Sequence, residues 1–400
     1  MRLQTDRGLT LRTDVPVVVM NTHHTGLGIA RNLGELGISV LALTSSPNSP
    51  GNSSKYLNCR AAPDSFTHQA ELLAFLGLLA TEFASRPVLL PTRDHDIHFI
   101  NRHRTALEPK FIIPFASSEV IDHVMNKDRL HEIARAAGLN VPLGVTLTSS
   151  SDLSALHSLR FPCICKPLYA SQWRQPDIWD AVGQQKAIKV ETFDELKTVY
   201  ADFSNIDPVA TVQEWIPGAE TSLQIFGSYC GTDHEVQAHF TARKRLQYPE
   251  LIGTGIALEA LRLPDLEQIS RRLLKALHFH GIAEIEYKRD DRDGRLYLIE
   301  VNPRHWDQHR LGAIVGVNLS ETLYRDVTGQ PRRPMIQLER RASWIAEAEY
   351  AFHLARCLLG KSRWRSARIG LAESRTWSVF DARDLRPLLS LLGLPGRAPR

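Results

Sequence analysis

Apolar and polar positions alternate in blocks along the first part of the chain. PVVVMN (Pro16–Asn21) is a β-branched run, and the turn THHTGLG leads from it into a helical stretch, IARNLGELG. ISVLALT (Ile38–Thr44) predicts a second buried strand, closed by the polar cluster SSPNSPGNSS. A helix over His68–Phe83, a strand PVLLP (Pro87–Pro91), a helix near Asp94–His103 and a strand FIIP (Phe111–Pro114) follow. Near-continuous apolar strands alternating with helices predict a parallel sheet covered on both faces.

The pattern then changes. Helical periodicity in NKDRLHEIARAAG, with Gly138 as C-cap, opens a second segment. Its strands are FPCICKP, KAIKV and VATVQEWIP, with the helix TFDELKTVYADF between the last two. Longer strands, SLQIFGSYC and EVQAHFTARK, mark a third segment, with a helix over Asp265–Phe279. It ends in a strand–turn–strand, GIAEIEYKRDDRDGRLYLIEVN, turning near DDRDG. Beyond Gln330 the composition becomes basic: residues 331–400 hold 14 Arg or Lys against 6 Asp or Glu.

With 400 residues, of which 43% are hydrophobic and 23% charged, the chain is long enough for several domains with buried cores. A net charge of +4 with no basic stripe or recognisable module argues against nucleic-acid binding. The 5 cysteines are scattered, without metal-ligand spacing, and read as reduced thiols. MRLQTDRGLTLRTD lacks the apolar region of a signal peptide, and the longest apolar run, Leu72–Ala80, is too short to span a bilayer. A cytoplasmic protein is expected. The basic tail, including Trp364 and LRPLLSLLGLPG (Leu385–Gly396), reads as a folded appendage docked on the body, with peripheral membrane contact as the alternative.

TGLGIAR after a strand invites comparison with dinucleotide-binding turns. Arg31 stands where close helix–strand packing demands a small residue, and Thr44-Ser45-Ser46 stands where an acidic residue would hold a ribose. A nicotinamide or flavin site is disfavoured. Gly26 and Gly28 either make a tight turn or present helix N–H groups to an anion.

The sharpest constellation is the hairpin. With its turn centred on Asp293, Glu286 faces Glu300 and Glu284 faces Asn302, all projecting from one sheet face. Three carboxylates and an amide suit Mg²⁺, whose shell phosphates complete; a solvated outer face is the alternative. Asn302-Pro303 ends the strand and brings Arg304 beside the carboxylates.

Taken together, residues 15–330 resemble the ATP-grasp superfamily of ADP-forming carboxylate–amine ligases, within it the predicted carboligase group with D-aspartate-ligase-like members. LIEVNPR carries the likeness most specifically. The resemblance implies mixed α/β and α+β architecture: an ATP-grasp fold with an N-terminal Rossmann-like (pre-ATP-grasp) domain and a small C-terminal basic appendage. The corresponding boundaries are 1–115, 116–216 and 217–330 for the Rossmann-like domain and the two grasp subdomains, and 331–400 for the appendage. It implies ATP and two Mg²⁺, with Mn²⁺ as a substitute, held by Glu286, Glu300 and Asn302, with Arg304 steadying the transferred phosphate. Lys127 and Lys166 match the phosphate-binding lysines, Lys166 doubling as a catalytic cation. QEWIPGAE resembles the adenine hinge, so Gln213, Glu214 and the Ile216 backbone meet the base and Glu220 the ribose. In ARKRLQYP, Arg243 or Lys244 is expected to reach phosphate or the acyl substrate.

The family's glycine-rich phosphate loop is missing from YASQWRQPDIWDAVGQQKA, which reads instead as a bulkier lid, Tyr169–Gln185, with Ser171, Arg174 or Lys186 reaching phosphates. His23, Thr25, Gly26, Arg93 and Asp94 are the expected substrate residues of the N-terminal domain, joined by Glu284 and His305 near the hairpin. The implied reaction activates a small, amino-acid-like carboxylate as an acyl phosphate and couples it to an amine. A carboxylase or thiol ligase, and a nucleotide-binding protein without ligase turnover, are the competing readings. A dimer is compatible with the resemblance.

Overall fold

The computed structural model describes residues 11–169, 172–360 and 374–394. Three sheets organise them. In the first, β1 (Val17–Met20), β2 (Val40–Thr44), β3 (Asn58–Ala61) and β4 (Val88–Leu90) lie in the order β3-β2-β1-β4 and pair in parallel. Every residue of β1 is buried, as a strand covered on both faces must be. β3 was not foreseen: NCRA carries no apolar run and lies at the sheet edge. FIIP forms no strand, only a bridge between Ile112 and Val88.

The second sheet, β5-β8-β6-β7, is antiparallel and is built from β5 (Gly144–Leu147), β6 (Cys163–Lys166), β7 (Ile188–Val190) and β8 (Ala210–Glu214). Cys163 and Cys165 are buried on its core face, packed with Trp173, Tyr200 and Phe203.

The third sheet has seven strands in the order β13-β12-β9-β10-β11-β14-β15. These are β9 (Leu223–Cys230), β10 (Val236–Tyr248), β11 (Thr254–Ala260), β12 (Gly281–Arg289), β13 (Leu296–Asn302), β14 (Ala342–Ile345) and β15 (Ser374–Trp377). All neighbours are antiparallel except β14 and β15. The architecture is thus the mixed α/β and α+β one expected, with a parallel N-terminal unit beside antiparallel sheets.

The basic C-terminal segment continues this third sheet. β14 pairs with β11 and buries Trp344, while the Glu347 carboxylate accepts the backbone N–H groups of Ser378, Val379 and Phe380. Asp384 reaches back to the N-terminal unit and pairs with Arg31 at 3.0 Å, both side chains at most 1% exposed. Arg31 thus has a structural partner at the position that argued against a dinucleotide turn. One hydrophobic core runs from Val17 and Val19 of the first sheet through Ala242 and Leu246 of the third to Trp344, so the N-terminal unit is packed on the sheet that bears the hairpin. Trp364 and the end of LRPLLSLLGLPG lie outside the described residues. Among the described residues no helix is long and apolar enough to cross a membrane.

Candidate active site

An open cleft of about 1210 Å³ lies where the three sheets meet. Its floor is the β12–β13 hairpin. Glu286 opposes Glu300 and Glu284 opposes Asn302, the facing expected from strand alternation about the turn. A bulge follows immediately: beyond Glu286 the register shifts, and Tyr287 opposes Leu298.

Lys244, reaching in from β10, donates to both oxygens of Glu286 at 2.9 and 2.7 Å. Burial alone would depress this lysine, but the carboxylates of Glu286 and Glu284 more than offset it and its ammonium titrates above the ordinary range. Glu284 is held well above the usual carboxylate range by burial, then by the adjacent charge of Glu286. It accepts a hydrogen bond from Asn302 Nδ2 at 3.0 Å, which leaves Asn302 Oδ1 as an acceptor.

Among the described residues no group of three or more His, Cys, Asp or Glu gathers as a metal site. The donor set is therefore sparse: Glu286, Glu300 and an amide oxygen. All are hard oxygen donors, and one or two carboxylates completed by phosphate oxygens is how Mg²⁺ is commonly held.

Two lysines enter from the opposite wall. Lys166 ends β6 and Lys127 begins the helix Lys127–Ala136, whose cap is the Asn126 side chain. Burial, reinforced by the charge of Lys127, brings Lys166 down to about 7. Lys127 is also lowered by burial, partly offset by Glu300 and Asp94, and donates to the Leu168 carbonyl at 2.9 Å. Two cations kept this close, with carboxylates nearby, form a ready anion site.

The hinge after β8 supplies the far end. Gln213, Glu214 and Ile216 all line the cleft. Gln213 Oε1 is buried without a hydrogen-bond partner, an unsatisfied acceptor of the kind a bound donor would pair. Glu214 Oε1 already accepts from the Arg160 N–H at 3.0 Å.

On the N-terminal side, Arg304 Nε donates to Asp94 Oδ1 at 2.7 Å, a contact joining segments 210 residues apart. Burial is outweighed here by Asp94, and the guanidinium titrates above its usual range. Its Nη1 donates to the His305 carbonyl and Nη2 lies 3.5 Å from Asn302 Oδ1, so the group is fixed beside the hairpin. Arg93 and His23 line the same wall. Arg93, however, is engaged by Asp64 and Asp96.

Four expectations are corrected. Glu220 accepts the Gln247 N–H at 3.1 Å and anchors the end of β10 rather than lining the cleft. Arg243 points from the other face of β10 to Glu259, at 3.1 Å, because side chains alternate and Lys244 takes the cleft side. His305 is buried against Ser320 at 3.0 Å, away from the cleft. Gly26 serves packing: a Cβ there would overlap the Asn21 carbonyl, and one at Gly28 would come within 2.7 Å of the His309 ring. The helix start at Thr25 is occupied from within, its hydroxyl donating to Asp307 Oδ1 at 2.6 Å. Both glycines lie inside the helix His24–Gly34, where they allow close packing, rather than in a turn.

Other cleft residues escaped the sequence reading. Lys288 shares the strand face of Glu284 and Glu286, a signal the period of two offered, and sits 4.1 Å over the Trp215 ring with its pKa lowered to about 8 by burial. Trp306, Asp307 and Gln308 follow the hairpin, where no regular period applies. Of the lid residues, Lys186 lines the cleft and donates to Thr254 Oγ1 at 2.6 Å, tying the second sheet to the third. Ser171 and the Arg174 side chain lie outside the described residues.

No protein-family model matches the chain. D-aspartate ligase from Enterococcus faecium (strain Aus0004) is 22% identical over 311 residues, covering 75% of this chain and 73% of that protein. An ADP complex of N5-carboxyaminoimidazole ribonucleotide synthetase superposes with a TM-score of 0.66 at 14% identity, covering 88% of each chain. L-amino acid ligase from Bacillus licheniformis superposes with a TM-score of 0.62 at 16% identity, over 83% of this chain and 80% of that one.

Proposed function

We propose that this protein of ATP-grasp fold is an ADP-forming ligase, which phosphorylates a small-molecule carboxylate from ATP and joins the acyl group to an amine. One observation carries the reading: Glu286, Glu300 and Asn302 share a cleft with Lys127, Lys166, Lys244 and Arg304, and an unsatisfied hinge acceptor, Gln213, lines the same cleft. That cleft can hold a nucleotide with its base at the hinge and its phosphates between the lysines and the hairpin. The relatives named above, a D-aspartate ligase and an L-amino acid ligase, support amino-acid-like substrates.

Lys127 and Lys166 hold the phosphates, and Lys166 takes up a proton as anionic oxygens approach. Glu286, Glu300 and Asn302 Oδ1 would hold Mg²⁺, in a two-ion arrangement that Mn²⁺ could replace. When bound, the metal supplies neutralisation of phosphate charge. Lys244 holds both oxygens of Glu286 in place, and Asn302 is oriented by Glu284. A carboxylate oxygen attacks the γ-phosphorus, the bond to the β-phosphate bridging oxygen breaks, and ADP leaves. The amine nitrogen then attacks the acyl carbon, the bond to the phosphate oxygen breaks, and inorganic phosphate departs as the amine proton is lost. Arg304, fixed by Asp94, faces the charge that develops on the transferred group. Alignment and charge neutralisation suffice for such a transfer, so no protein nucleophile is required.

Hydroxylamine intercepts acyl phosphates as stable hydroxamates. Screening carboxylic acids with ATP, Mg²⁺ and hydroxylamine should give acid-dependent hydroxamate in step with ADP. ATP binding without acid-dependent ADP release across the panel would overturn the ligase reading in favour of nucleotide binding alone.

A further inference from the structure

A second cavity, of about 80 Å³, adjoins the N-terminal wall of the cleft and shares Asn21, His23 and Arg93 with it. It lies at the carboxyl ends of β1, β2 and β4. From β1 the chain proceeds to β2 on one side and later to β4 on the other, so the strand order reverses here, where open parallel sheets take their ligands.

We propose that this cavity receives the side chain of the acid substrate and selects short, uncharged side chains. The proposal rests on the ligase reading and names its substrate class. Size is the first argument. A cavity of about 150 Å³ takes a benzene ring, and this one has roughly half that volume. A short aliphatic or hydroxylated side chain fits; an indole or a nucleobase does not.

Charge is the second. Arg93, the one cation on the wall among the described residues, is already held by Asp64 Oδ2 at 3.1 Å and Asp96 Oδ1 at 2.9 Å. Asp96 is further satisfied by the Ser65 hydroxyl at 2.6 Å and the Thr92 N–H at 3.1 Å, and Asp64 by the Ser45 hydroxyl at 3.2 Å. Among the described residues that line the cavity, an acidic side chain would meet no unpaired cation and a basic one no unpaired carboxylate. Burying either charge without a partner is costly.

The third argument is the lining itself. Met20, Leu43 and Leu72 make a buried apolar floor. Neutral polar side chains complete the lining, among them Asn21, Thr44, Ser45, Ser46 and Ser65. Asn21 Oδ1 accepts the His23 N–H at 2.7 Å, which leaves the amide nitrogen as a donor. Its backbone is held at φ 96°, an uncommon conformation for a residue with a side chain, which fixes the amide at the mouth. An apolar floor with a neutral polar lining suits a side chain such as that of alanine, serine, threonine or valine.

The test uses the full chain with Mg²⁺ and a non-hydrolysable ATP analogue, titrated calorimetrically with single amino acids of either configuration. Alanine, serine, threonine and valine represent the expected class; aspartate, lysine and tryptophan represent the excluded ones. The best short acid should bind at least ten times more tightly than the excluded ones. Ala62→Leu and Ser46→Leu, which fill the cavity from two sides, should each weaken it at least tenfold while ATP affinity stays within twofold. Preference for a charged or bulky acid, no binding by any acid, or indifference to both substitutions would overturn the proposal. If short acids bind as expected yet no ADP is released, the ligase reading fails and the cavity assignment stands. If ADP release is acid-dependent and both filled variants keep the wild-type KM, the reverse holds.

Discussion

Lys166 shows how one residue's surroundings set its chemistry. Burial and the neighbouring Lys127 bring it to about 7, whereas an unfolded lysine titrates near 10.5. Between those values the unfolded chain carries a proton that the folded chain lacks, so this group makes stability rise with pH across that window. Nucleotide phosphates favour the charged form, so ATP binding takes up a proton above pH 7. ATP affinity should therefore weaken as pH rises from 7 toward 9, by up to about tenfold per unit. Lys166→Arg, which stays charged, should flatten the profile. Calorimetric titrations in buffers of different ionisation enthalpy would read the proton directly; a flat wild-type profile without proton uptake would contradict the assignment. FPCICKP puts Lys166 at the end of an apolar strand between two prolines, so its desolvation is legible in the sequence. It could not separate Arg243 from Lys244, since in ARKR both strand faces carry charge and only the register decides which one looks inward.

At the scale of elements, the hairpin was the most legible part of the molecule. Period-two alternation and a turn rich in Asp and Gly set which residues face each other, and no long-range information was needed. The bulge next to Glu286 was invisible because it inserts a residue without breaking the apolar pattern. β3 and β5 were missed as short strands with little apolar character. Gln213, Glu214 and Ile216 of the expected hinge segment line the cleft, whereas Glu220 lies in a turn whose direction depends on the end of β10. The C-terminal strands carry a prediction of their own. Asp384→Ala would strand the Arg31 guanidinium in the core and should cost about 3–5 kcal/mol, read as a fall in urea-unfolding free energy. A loss under about 1 kcal/mol, the scale of an exposed pair, would show that this contact does not fasten the segment.

Across the whole molecule, the cleft arises from the meeting of three sheets that sequence could only order along the chain. The parallel unit brings Asp94 to Arg304, the small antiparallel sheet brings Lys166 and the hinge, and the large sheet brings the carboxylates. The resemblance in LIEVNPR supplied that assembly; alternation and composition did not. The basic tail was legible as a folded appendage docked on the body, but not that its two strands extend the large sheet. The account as a whole depends on the hairpin carboxylates serving nucleotide chemistry. The most direct measurement is Mg²⁺-dependent, acid-dependent ADP release by wild type and Glu300→Gln, with folding of both checked by unfolding midpoint. The account predicts release by wild type and a loss of about 100-fold or more in the variant at an unchanged midpoint. Turnover by Glu300→Gln within about threefold of wild type, a difference under 1 kcal/mol in barrier, would contradict it.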